Sequence, residues 1–156
     1  MISKYFRFEE AFVTEQRGLI DANRDYARQW QSNVIEHAGL MDATRVALGF
    51  AVHINSWVRS PALNAAVGGS NNSDHTPDDD RVGASDFTCP GFGSVYDVCS
   101  FLIHPALALP FRQLIYEHTW CHISSPRRSE AAPKRQILTL AGPGRYVPGI
   151  VLRSAL

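Results

Sequence analysis

Apolar side chains recur at Tyr26, Trp30, Val34, Ala38 and Met41, a spacing that puts them on one face of a helix running from Asp21 to Leu48. Asp21 can cap its start, Gly39 marks the expected break, and Gly49 stands where a helix C-terminal glycine belongs. The period then changes. Phe50 to Trp57 alternates between apolar and polar positions and is bounded by Gly49 and Pro61, which predicts a strand. Ala84–Thr88, Arg112–Tyr116 and Trp120–Ser124 read as three more strands, the last two joined by the tight link Glu117–Thr119. Ile137–Leu140 reads as a final strand before an irregular tail, and Val95–Leu109 as a helix interrupted at Pro105. Gly68 to Arg81 is a polar loop with GGSNNS at its head and PDDD near its end. A long helix followed by short strands predicts an α+β fold: a small antiparallel sheet with helices packed against it.

Length changes this picture little. A chain of 156 residues is near the usual size of one domain, and 45% apolar against 19% charged residues is enough to build a core without disulfides or metal. Fifteen basic and fifteen acidic residues give no net charge, which counts against a general nucleic-acid binder. No run of 18 apolar residues is present, so no membrane-spanning helix is expected. Met1 to Glu10 carries Lys4, Arg7, Glu9 and Glu10 with no apolar run behind it, unlike a secretory signal; synthesis in the cytoplasm is the expectation. Cys89, Cys99 and Cys121 show no CxxC spacing and read as reduced thiols.

Charge is nonetheless unevenly spread. Asp74 to Asp97 holds six aspartates and one base, whereas Arg127 to Leu156 holds six bases and one acid. An acidic middle suits a cation site; a basic tail suits an anionic surface, or is a solvated face. Three residues have the chemistry of metal ligands on or beside the expected strands: His75 in the polar loop, Asp86 in GASD, and His122 in WCHIS. Two imidazoles and a carboxylate form a three-ligand zinc site with a fourth position for water. Alternation puts Trp120, His122 and Ser124 on one face and Cys121 and Ile123 on the other, which assigns Cys121 to the core. His37, His53 and His104 lie on apolar or helical stretches and read as structural.

The run from Ile54 to His75, INSWVRSPALNAAVGGSNNSDH, resembles the zinc D-Ala-D-Ala carboxypeptidase family of peptidoglycan peptidases, which includes phage endolysins that cut the L-alanyl-D-glutamate bond. Arg59, Ser60 to Gly69, Ser73, His75, Ala84, Asp86, Trp120 and His122 fall in the family's order, over about residues 5 to 125, leaving 126–156 as a basic irregular tail of a single domain, 1–156. The chain departs from the pattern in three ways. Ten residues separate His75 from Asp86, where the family usually has six; Gly83 is displaced; and Val58 replaces a tyrosine. The added Pro77–Asp80 is expected to bulge as an exposed, mobile loop that shapes substrate access, since loop closure costs little per added residue.

The resemblance implies roles. His75, Asp86 and His122 would bind Zn2+, which lowers the pKa of its water to about 7. Relatives carry the proton-transferring carboxylate shortly before the last histidine, often three residues ahead, where this chain has Thr119. Glu117 is therefore the expected base, with His118 as a lesser stand-in. Arg59 would polarise the scissile carbonyl or bind a substrate carboxylate, or else pair with the acidic loop; Ser73 would fix the loop or, with Trp120, touch substrate. The implied protein is a monomeric, endolysin-like zinc peptidase of the cell-wall stem peptide, reaching the wall after release from the host cytoplasm. A D-Ala-D-Ala carboxypeptidase and a non-catalytic virion or wall-binding protein are the alternatives.

Overall fold

In the computed structural model, which describes residues 1–155, the helical signal resolves into two helices, α1 (Ile20–Gln29) and α2 (Gln31–Leu48). The break falls at Trp30, with φ −105° and ψ 32°, and Gly39 continues inside α2. An interior glycine costs about 1 kcal/mol relative to alanine. Burial of Val34, Ala38, Met41 and Leu48 along the same helix outweighs it. Asp21 lies inside the first turn of α1, where its charge suits the helix dipole, and Leu19 takes the cap position. Gly49 ends α2 in the left-handed conformation at φ 74°, its N–H donating to the Arg45 carbonyl.

Strands β1 (His53–Ser56), β2 (Ala84–Thr88), β3 (Gln113–Tyr116) and β4 (Cys121–Ser124) lie within the spans that alternation predicts. Between β1 and β2 comes a helix the apolar pattern does not announce, α3 (Pro61–Ala66). Its signal is at the start: Ser60 accepts from the Leu63 N–H, and Pro61 occupies the first helical position. Helix α4 (Val95–Leu102) opens on a Ser94–Asp97 capping box, and a 3-10 turn follows at Pro105–Leu107.

The tail departs most from expectation. In place of irregular chain after Leu140 there is a hairpin, β5 (Gln136–Gly142) and β6 (Arg145–Pro148), turned by Gly144 at φ 64°. β5 runs parallel to β3, so the sheet is mixed, with six strands in the order β1-β2-β4-β3-β5-β6. A local period cannot report this, because the bonding edge that β5 fills belongs to a strand twenty residues away.

One face of the sheet, through Phe87, Leu114, Cys121 and Ile123, packs on α2, α4 and the N-terminal segment and forms the core. Phe6 and Trp57 meet edge to face there at 5.9 Å. All three cysteines are buried and free. Among the described residues no helix is long and apolar enough to cross a membrane.

The acidic middle and the basic tail bind each other. Asp74, buried, accepts from both Arg112 (2.9 Å) and Arg127 (2.8 Å), while Glu130 takes Arg112 and Lys134. Arg128 pairs with Glu36, and Arg135 donates to the Leu109 and Ile103 carbonyls while covering the Phe111 ring. These bases are thus engaged internally; the Arg153 side chain and Leu156 lie outside the described residues. The Pro77–Asp80 loop is pinned as well. Tyr26 donates to the Pro77 carbonyl, Asn33 to those of Asp78 and Arg81, and Ser129 N–H to the Asp80 carboxylate. Only Asp79 is exposed, so the expected bulging loop is a docked one, fastened to the helices.

Candidate metal centre

Antiparallel pairing sets Asp86 of β2 directly opposite His122 of β4, and alternation turns both side chains to the face away from the core. His75 comes from the loop after α3. Its carbonyl accepts from Arg59 N–H at 2.7 Å, and its own N–H reaches Ser73 Oγ at 3.3 Å. The three side chains meet as a triangle: His75 Nε2 to Asp86 Oδ1 3.1 Å, His75 Nε2 to His122 Nδ1 3.2 Å, and His122 Nδ1 to Asp86 Oδ1 2.8 Å. All three residues are buried.

The donor chemistry fits a cation. His75 Nδ1 donates to the Trp57 carbonyl at 2.6 Å, which commits the ring proton there and turns the Nε2 lone pair toward the Asp86 carboxylate. Two facing acceptors 3.1 Å apart require positive charge between them. A tetrahedral ion with donors at 2.0–2.2 Å would hold them about 3.3–3.6 Å apart, so the two His75 edges need open by a few tenths of an ångström and the His122–Asp86 edge by about 0.5–0.8 Å. Burial pulls the His75 pKa down and keeps the ring neutral, as a ligand must be. Burial also opposes charge on His122, but the hydrogen bond and charge of Asp86 prevail and raise it. Burial alone would raise Asp86; the histidines overcome that and hold it well below the usual carboxylate range.

Around the triangle lies a cleft of about 670 Å³, lined also by Arg59, Ser73, Glu117 and Trp120, so every expected site residue borders one space. Glu117 follows β3, and the turn to β4 brings it back: its N–H bonds the Trp120 carbonyl, and its Oε2 accepts from Trp120 Nε1 at 3.0 Å. Burial raises its pKa, more than the nearby His122 charge lowers it. His118 takes a left-handed φ of 66° and turns aside to the Leu140 carbonyl at 2.7 Å, outside the cleft lining. Arg59 does not reach the acidic loop, where Asp78 pairs with Arg81; its guanidinium binds the second oxygen of Asp86 and Ser56 Oγ. It thereby leaves Oδ1 to face the histidines.

Two residues of this architecture escape a reading by motif. Asp74, next to His75, anchors the loop to Arg112 and Arg127. His37, fully buried on α2, bonds Ser125 Oγ at 2.8 Å and Ser85 Oγ at 2.9 Å and packs on Trp57, bracing β2 and the end of β4 from behind. Gly83 makes room for it: a Cβ there would lie 3.1 Å from that of His37. Both ring nitrogens of His37 are taken by serines, so it serves the structure behind the sheet. Its only sequence signal is the helical period.

Two histidines and a carboxylate, converging on a cleft beside a half-buried glutamate, define a site of the mononuclear metallohydrolase class. The match to a family model narrows the class: the peptidase M15 model covers residues 4–124, and the chain belongs to that family, the zinc D-Ala-D-Ala carboxypeptidase type. Comparison with curated proteins finds no match. At the level of the family, this is a metallopeptidase of a group acting on peptidoglycan.

Proposed function

We propose that the protein hydrolyses an internal amide bond of the peptidoglycan stem peptide, as an endolysin does, with Zn2+ held by His75, Asp86 and His122. The observation that favours an internal bond is electrostatic. Both arginines that line the cleft are already paired, Arg59 with Asp86 and Arg112 with Asp74 and Glu130. A carboxypeptidase needs a cation to receive the substrate's terminal carboxylate, and no unpaired lysine or arginine lines this cleft among the described residues.

When bound, zinc supplies Lewis acidity and brings the pKa of a water on its open side to about 7. The remaining roles belong to the chain. Glu117 accepts the proton of the attacking water and returns it to the leaving nitrogen as the C–N bond breaks, a task suited to a carboxylate whose pKa burial has raised. Trp120 holds that carboxylate by one oxygen and leaves the other for proton transfer. Arg59 holds the second oxygen of Asp86 and so orients that ligand. Mass spectrometry of digested sacculi tests the reading: fragments cut within the stem support it, whereas release of single terminal alanines assigns the carboxypeptidase activity. Unchanged sacculi at full zinc loading leave only a wall-binding role.

A further inference from the structure

The sheet face that carries the metal ligands does not stop at the cleft. In register, Ser56, Asp86, His122, Ile115, Leu138 and Pro148 form one row across all six strands. The next row is Trp120, Glu117, Leu140 and Tyr146: Glu117 N–H bonds the Trp120 carbonyl, Glu117 follows the Tyr116–Thr139 pair by one residue, and Leu140 pairs with Tyr146. The bond from His118 to the Leu140 carbonyl fastens this corner. Leu138 and Leu140 are absent from the core, which takes Ile137 from the opposite face of β5 and Ile150 from the chain just after β6. Leu138, Leu140, Tyr146 and Pro148 thus make an apolar shelf continuous with the Glu117–Trp120 wall. Tyr146 is 44% exposed. Partial burial, then the charges of Glu117 and Asp86, raise the phenol's pKa and keep it neutral. The whole hairpin lies beyond residues 4–124 that match the family model.

A neutral aromatic and apolar shelf beside a polar, charged cleft suits a ligand with an uncharged ring of C–H and O–H groups. The stem peptide is covalently joined to such a ligand, the amino-sugar strand of the wall. Strands spaced about 4.8 Å apart place β5 about 10 Å from β4, the reach of about three extended residues. We propose that the Leu140–Tyr146 shelf is a saccharide subsite that holds the glycan end of the substrate while its stem peptide lies across the metal centre. The inference rests on the peptidase reading above and deepens it.

The test compares two substrates, a disaccharide-linked stem peptide and the same peptide without sugar. Tyr146→Ala should raise KM about three- to ten-fold for the sugar-linked substrate alone, with kcat unchanged, and Tyr146→Phe should restore it by keeping the ring. Metal-free protein should bind the disaccharide peptide more tightly than the bare peptide by intrinsic fluorescence titration, and Tyr146→Ala should abolish the difference. Equal effects on both substrates, or none, overturn the subsite. So does a concentration-dependent dimer that Tyr146→Ala dissolves without any sugar effect, since the shelf then covers a second copy of the chain. If the wild type cleaves neither substrate, the peptidase reading fails, and the metal-free titration still decides the subsite on its own.

Discussion

Acid should loosen this fold through His37. The imidazole is fully buried, bonded at both nitrogens to Ser85 and Ser125, and has no carboxylate partner. Burial, then the neighbouring His75 and His122, lower its pKa to about 3. An unfolded histidine titrates near 6.5. The folded value lies below the unfolded one, so the neutral ring's contribution is complete above pH 6.5 and is lost as pH falls toward 3. Each unit of that window is worth about 1.4 kcal/mol, so moving from pH 7.5 to pH 5 should remove about 2 kcal/mol of stability. Urea unfolding at the two pH values measures the loss. The control is His37→Gln, which can still bond both serines but does not titrate. It should be less stable at pH 7.5, having lost the edge-to-face contact with Trp57 at 5.2 Å, and its loss on acidification should be about 2 kcal/mol smaller than the wild type's. Equal losses in both proteins would exclude His37 as the source and move the acid sensitivity to the ligand histidines.

Glu117→Gln keeps an acceptor for Trp120 but cannot take a proton, so it should retain zinc while kcat falls about 100-fold, or about 2.7 kcal/mol in barrier; His122→Ala should lose zinc and turnover together. Zinc content by elemental analysis separates the two, and full activity of Glu117→Gln would place the base elsewhere. Deleting Pro77–Asp80, which restores the spacing usual in the family, breaks the Tyr26, Asn33 and Ser129 hydrogen bonds to that loop and should cost about 3 kcal/mol in urea unfolding. Substrate preference should stay unchanged because the loop does not line the cleft, and a shifted cleavage pattern at unchanged stability would return it to the role of a gate.

Local order along the chain determined a good deal of this protein. The period at Tyr26, Val34, Ala38 and Met41 specified the helical face, and alternation separated His122 from Cys121, because side-chain direction within an element depends only on near neighbours. The order His75, Asp86, His122 named a set of residues that the structure brings together, since each has donor chemistry whatever surrounds it. The partners of these residues came from long-range folding. Arg59 meets Asp86 because a bulge in the β1–β2 pairing sets Ser56 beside Asp86, and Asp74 meets Arg127 across more than fifty residues. The hairpin at 136–148 offered a readable strand, yet its parallel seat on β3 depends on an edge left open elsewhere. The acidic loop and the basic tail each resembled solvated charge, because a run of like charges is costly to bury alone. Folding put the two side by side, and charge that composition assigns to solvent became the clamp that holds the His75 loop to the sheet.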